Sequence, residues 1–331
     1  MTTRAVHPSD ATYAARPSAA PVMGTGRRIL RVVALAATLP YLALKAAWLG
    51  GSHIGIPDGS VLLDPGLFFT VANAVTLVMD ATVILIVLAL TRPWGMRVPS
   101  WLLVVPVFVA TGLLTPILTG FPAQMLVKAL GMGADGAAGA AREPFLDPWV
   151  FNVVYGGFTL QGLALAGLFV PYARERWGRC WQGVLGKRLP SSTGVVAGAS
   201  AVTGTAVASV YLYWAFGGTA GLTAKQVAAY SAETGVVGAV HAMCALIAAA
   251  GALLLARGGE RPVRGPLALA WIGSAAALSW GAWMLIAVLG PDPESGEQPS
   301  AMLHLTYAGQ MITGILGALI LTRFLASRRT V

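Results

Sequence analysis

Residues 67–91 read LFFTVANAVTLVMDATVILIVLALT, a stretch with one charged side chain, Asp80, followed by the unbroken run Val83-Ile84-Leu85-Ile86-Val87-Leu88. A stretch of about 20 predominantly apolar residues is the length an α-helix needs to cross a bilayer. This one has no turn signal inside it, so it predicts a membrane span. A carboxyl at its depth costs at least ~2.5–3.5 kcal/mol on insertion scales, so it is neutral, partnered or functional.

Working outward from it, seven further stretches of spanning length fall near 29–50, 99–119, 148–172, 192–216, 236–256, 266–290 and 303–322. Pro106 and Pro116 interrupt the third span of the chain, and Gly194, Gly198 and Gly204 dilute the fifth. Both remain long enough to cross. The whole chain of 331 residues is 56% hydrophobic and 11% charged, with a mean hydropathy of +0.71. Soluble domains carry about 25% charged residues, so the fold class is an all-α polytopic membrane bundle of eight transmembrane helices.

The net charge of +9 follows topology rather than a polyanionic partner. All Lys and Arg except Lys45, Lys128, Arg142 and Lys225 fall in the N-terminal tail or beside one set of loop ends, and most acids occupy the opposite loops. This is the positive-inside pattern, which predicts a bacterial cell membrane protein with both termini cytoplasmic and no nucleic-acid partner. Residues 1–26 are rich in Ala, Pro, Ser and Thr and read as a disordered cytoplasmic tail. The apolar run after them has spanning length and no cleavage site, so it is not a signal peptide. Cys180 and Cys244 lie in a loop and a span and imply no disulfide. Arg outnumbers Lys in an Ala- and Gly-heavy chain, as in high-GC bacterial genomes.

The chain repeats itself in outline. Trp48-Leu49-Gly50-Gly51 and Gly55 close the first span, and Trp214-Ala215-Phe216-Gly217-Gly218 and Gly221 close the fifth. Tyr155-Gly156-Gly157 with Gly162 in the fourth span matches Tyr307-Ala308-Gly309 with Gly314 in the eighth. The second and sixth spans both end in Leu-x-Arg, at Arg92 and Arg257. The expectation is a parallel 4+4 repeat, residues 27–190 and 191–331, related by an axis along the membrane normal. Gly194-x-x-x-Gly198 and the glycines of the fourth and eighth spans are the expected close-approach points.

Polar side chains collect in the outer half of the spans. Asn73, Thr76 and Asp80 share one helical face. By helix rise, Asp80 lies roughly 20 Å below Leu67, near the midplane. Asn152, Tyr155 and Thr159 share a face of the fourth span with Gln161 nearby. His241, His304, Tyr307 and Gln310 stand early in the sixth and eighth, while Tyr41, Lys45, Thr111 and Thr115 stand late in the first and third. These predict a pocket that opens outward and has Asp80 at its floor. Its expected ligand-binding residues are Asn73, Thr76, Lys45, Asn152, Tyr155, His241, Tyr307, Gln310, Trp280 and Trp283, and Thr111, Thr115 and Thr159 are expected to make interhelical hydrogen bonds instead.

Asp80 is the candidate catalytic residue: a neutral acid in an apolar site donates a proton to a poor base. Lys45 is close enough to the outer boundary to snorkel, with an ion pair to Asp80 as the alternative. Trp280 and Trp283 stand one turn apart on the seventh span and offer π faces to the pocket, while Trp48, Trp149 and Trp214 have the positions of an interfacial belt. His53, His241 and His304 lack metal-ligand spacing, so no metal, haem or other cofactor is expected.

In size, span number and metal-free character the chain resembles the small membrane-bound terpene cyclases of actinobacterial specialised metabolism. That architectural resemblance covers the whole chain and implies acid-initiated cyclisation of a lipophilic small molecule. Two readings from other classes stand beside it. The duplicated halves fit a small-molecule or proton-coupled transporter, and a sensor or scaffold needs Asp80 only to fix helix packing. Substrate and oligomeric state are not encoded in any motif.

Overall fold

The computed structural model describes residues 24–63, 66–134, 146–290 and 299–328. The N-terminal tail expected over 1–26 lies outside these up to residue 23, as does Arg142. Among the described residues the chain forms nine α-helices: α1 Thr25–Leu49, α2 Leu67–Thr91, α3 Ser100–Ala129, α4 Pro148–Trp177, α5 Ser191–Ala215, the one-turn α6 Ala224–Ala228, α7 Ala232–Arg257, α8 Arg264–Leu289 and α9 Ala301–Ser327. All except α6 are long and apolar enough to cross a membrane, and the chain is an integral membrane protein.

Helices α3 and α4 run further than the apolar stretches that announced them. Pro106, Pro116 and Pro122 lie inside α3 without ending it, as spans tolerate when nearby hydroxyls and helices satisfy the freed backbone. Thr111, Thr115 and Thr159 each bond a carbonyl four residues back in their own helix, at 2.7, 2.7 and 2.8 Å. The interhelical bonds expected of them are therefore largely replaced by local ones. Thr111 is the exception, since its hydroxyl also accepts the Trp271 indole N–H at 3.3 Å.

Thr25 and Ser327 lie on one side of the bundle, the terminal side. There Arg27 donates to the Leu90 carbonyl at 3.0 Å and Arg323 to Thr193 at 3.3 Å. Two short strands, β1 Val184–Gly186 and β2 Gly259–Pro262, pair antiparallel in the loops of this side. The sequence reading has only loops there. On the opposite, distal side, the Asp147 amide donates to Gly55 at 2.9 Å and the Ser300 hydroxyl to Gly221 at 2.5 Å.

The packing falls into two sets of four. In the first, α1 contacts α2 and α4, α2 contacts α3 and α4, and α3 contacts α4. In the second, α5 contacts α7 and α9, α7 contacts α8 and α9, and α8 contacts α9. Helix α3 joins the sets by packing on α7 and α8. A Cβ at Gly112 would lie 2.2 Å from the Ala275 carbonyl oxygen, and one at Gly273 would lie 2.3 Å from the Ala248 nitrogen. Only glycine allows α3 and α7 to approach α8 so closely. Gly194 and Gly198 do not serve this purpose: nothing lies within 4 Å of a Cβ at Gly198, and Gly194 meets only the end of the Arg188 side chain.

The distal ends of α1 and α5 turn in the same way. Gly51 and Gly55 have φ of 87° and 73°, and Gly217 and Gly221 have 86° and 79°. The amides of Gly50, Gly51 and Ser52 bond Ala46, Trp48 and Ala47, and those of Phe216, Gly217 and Gly218 bond Leu212, Trp214 and Tyr213. In each turn the tryptophan indole closes on the carbonyl six residues ahead, Trp48 to Ile54 at 2.8 Å and Trp214 to Ala220 at 2.9 Å. Both tryptophans are thus structural turn residues, not simply belt residues.

Candidate functional site: an aromatic cleft between α1, α2, α3, α4 and α8

Spacing on α2 puts Asn73, Thr76, Asp80 and Val83 along one stripe, and that stripe lines a cleft made of adjoining chambers that share wall residues. An outer chamber of about 520 Å³ lies between α1, α2, α4 and α8, with Lys45, Asn73 and the loop residues Leu62 and Leu146 in its wall. A middle chamber of about 360 Å³ holds Asp80, Gln161 and Trp280. Tyr41, Thr76, Tyr155, Phe158 and Trp283 line both. A third, apolar chamber of about 280 Å³ shares Ile86, Ala110 and Leu114 with the middle one and reaches Leu90 and Phe169. By helix rise, α2 carries this lining over roughly 30 Å, from Phe68 to Leu90.

Asp80 is 7% exposed, and its Oδ2 is buried with no hydrogen-bond partner. Val83 and Ile86, up to about 9 Å further along α2 by helix rise, also line the chamber. Asp80 therefore stands in the wall, where a floor was expected, because the apolar face of α2 stays turned to the cleft below it.

Lys45 does not pair with Asp80; among the described residues the one ion pair is Arg27 with Glu175. Its Nζ donates to Asn73 Oδ1 at 2.5 Å and lies 4.9 Å from the Tyr41 ring centroid and 5.4 Å from that of Trp48. The ammonium is held between two π faces. With 7% exposure it is buried rather than snorkelled.

The aromatic wall is continuous. Tyr41 meets Phe158 edge-on at 5.0 Å, and Tyr155 stacks between Phe121 at 5.8 Å and Phe151 at 6.2 Å. The Trp280 indole is fixed by donating to the Leu113 carbonyl at 3.0 Å. On the terminal side, Leu103, Leu168 and Tyr172 pack below the cleft, and the Tyr172 hydroxyl donates to Gly95 O at 2.8 Å. Arg176 donates to the same carbonyl at 3.1 Å and also to Val98 O, which closes that end.

Four of the expected ligand-binding residues are elsewhere. Asn152 is exposed and lines none of the three chambers, because Phe151 and Tyr155 take the inward face of α4. His241, Gln310 and Tyr307 lie in the core of the second set of helices. There Tyr211 Oη donates to Gln310 Oε1 at 2.6 Å, and Gln310 Nε2 stands 3.2 Å from His241 Nδ1. With Oε1 accepting from the tyrosine, Nε2 is turned to Nδ1. Tyr211 stacks on His241 at 5.1 Å, and His241 meets Trp280 edge-on at 5.4 Å, so this network supports the back of the cleft without lining it.

Tyr41, Phe158 and Gln161 are lining residues absent from the sequence-based set. Tyr41 was legible in principle, since it stands one turn before Lys45 on the same face. Gln161 is 1% exposed and donates to Thr38 at 3.2 Å. Among the described residues no three His, Cys, Asp or Glu side chains gather as metal ligands. Comparison with known proteins adds nothing to this geometry: no protein-family model, curated protein or solved structure matches the chain.

Proposed function

We propose that this membrane protein is an enzyme that transforms a lipophilic small molecule inside the cleft, with Asp80 as the proton donor. The observation that carries the reading is a carboxyl buried in an aromatic-walled chamber with one oxygen unpartnered. A structural aspartate in a span is normally hydrogen-bonded, and an orphan at this depth is retained for its chemistry. The Asp80 O–H adds to a carbon of an olefin; a C–H bond forms and the electron pair of the double bond leaves a cation on the neighbouring carbon. The faces of Trp280, Trp283 and Tyr155 stabilise that cation. Ring closure and loss of a proton to the Asp80 carboxylate give an isomer of the starting compound and restore the acid.

The charge bias of the loops supports a cytoplasmic terminal side, and hence a cleft that opens on the outer side of a bacterial cell membrane. The chain is also best read as a duplicated four-helix unit. The matching distal turns and the matching helix pairings support this, and they put Tyr211, three residues before Trp214, in the place of Lys45, three residues before Trp48.

The test is conversion of farnesyl and geranylgeranyl olefins by the purified protein in nanodiscs made up in D2O. The expected product carries one deuterium at a saturated carbon, and Asp80→Asn forms none. Equal deuterium incorporation by that variant removes Asp80 from the chemistry. Net uptake of unchanged compound into sealed vesicles would favour a transporter instead, although the closed end at Tyr172 and Arg176 speaks against it.

A further inference from the structure

We infer that the outer chamber is a headgroup site, and that the molecule it takes is an anionic amphiphile with a single hydrocarbon tail. The inference rests on the proposed cleft but not on the chemistry of Asp80. The Lys45 ammonium is buried, and no carboxylate contacts it. One of its three donors goes to a neutral amide oxygen and the charge otherwise meets only the Tyr41 and Trp48 rings, so no anionic acceptor among the described residues satisfies it. Because Asn73 Oδ1 accepts from Lys45, the donors of its own amide group remain, and Asn73 lines the chamber. The polar corner therefore offers donors and positive charge. That is complementary to an acceptor-only group such as a carboxylate or phosphate, and it repels an amine.

A buried charge with no anion in contact is costly, and a bound anion lowers that cost. Apart from Thr76, the rest of this chamber's lining is apolar or aromatic, including Phe68, Phe69 and Trp283. Asn73 and Asp80 are seven positions apart on α2, so the tail passes the acid about 10 Å below the head. Its end then enters the apolar chamber beside Leu90. Val71 and Val75 line the outer chamber and are 51% and 47% exposed, so the chamber opens along the edge of α2, where a lipid-dissolved molecule enters sideways.

The experiment is equilibrium binding of tritiated farnesyl phosphate, farnesoate and farnesol to the protein in phosphatidylcholine nanodiscs, with empty nanodiscs subtracted. The three share one tail, so their ratio reports the head alone. At least one of the two anions should bind tenfold or more tightly than farnesol, and the tighter of them identifies the head. Lys45→Met should bring that anion to within twofold of farnesol without weakening farnesol. Lys45→Arg should keep the preference, and Asn73→Leu should reduce it. Equal binding of all three ligands to the unaltered protein overturns the inference, as does a preference that survives in folded Lys45→Met. Should Lys45→Met fail to fold, the unaltered chain and Asn73→Leu decide alone. Turnover by Asp80→Asn bears only on the acid, so the two readings fail separately.

Discussion

Replacing Asp80 by leucine should make the folded protein more stable while ending its activity. Oδ2 is buried and unpartnered, and an unmade hydrogen bond of this kind costs about 1–3 kcal/mol. When the helices come apart in detergent the carboxyl reaches water, so that cost falls on the folded state alone. Leucine removes the polar atoms, and its extra volume projects into a chamber of about 360 Å³, so overpacking does not offset the gain. The expected change is a stabilisation of about 1–3 kcal/mol. Asparagine keeps two polar groups on the same wall and should stay within about 0.5 kcal/mol of the parent. Equilibrium unfolding by SDS in mixed micelles, followed by circular dichroism, measures both. A leucine variant about 1 kcal/mol or more less stable than the parent refutes the reasoning. It would mean that Asp80 holds the bundle together and is not a polar group retained for chemistry.

Three further outcomes follow from the packing and the charge pattern. Gly273→Leu places a side chain where a Cβ alone is 2.3 Å from the Ala248 nitrogen, so it should destabilise the chain by about 3 kcal/mol or more in the same assay, and a smaller loss would mean that α7 and α8 can separate cheaply. Tyr211→Phe leaves Gln310 Oε1 without its donor in a fully buried network, so it should cost about 1–3 kcal/mol in SDS unfolding. Asp58→Cys, exposed on the distal side, should react with a membrane-impermeant maleimide on intact cells, whereas the native Cys180 on the terminal side should react only after lysis. Labelling in the reverse order would invert the topology.

The bundle was legible because bilayer thickness acts on every span separately. Leu67–Thr91 declares itself by length and apolarity whatever surrounds it. The stripe Asn73, Thr76 and Asp80 was legible for a similar reason, since one helix fixes their common face. Depth was legible and partners were not. Nothing in the neighbourhood of Lys45 says that its ammonium turns to Asn73 on another helix, and nothing near Gln310 says that Tyr211 and His241 enclose it. Those choices depend on how eight helices rotate about their own axes, a property of packing rather than of any one span. Asn152 shows the cost of reading one face alone: Phe151 and Tyr155 flank it, and the larger aromatic surface wins the inward direction.

On the duplicated reading, the cleft is the place where the two halves stop matching. A twofold arrangement that packs α3 on α7 would equally pack α2 on α8. Helix α3 does pack on α7, but Asp80 and Met79 of α2 face Trp280 and Trp283 of α8 across the middle chamber. The same contrast holds at the neighbouring position. Where the first half has a lysine that no carboxylate among the described residues contacts, the second has Tyr211, bonded to Gln310 and stacked on His241. On that reading one half has the unit filled with a bonded polar network, and the other has two ionisable side chains in the lining of a cleft. Random loosening of a repeat would expose apolar wall. It would not put the acid and the ammonium along the same cleft, a coincidence that the proposed ligand accounts for.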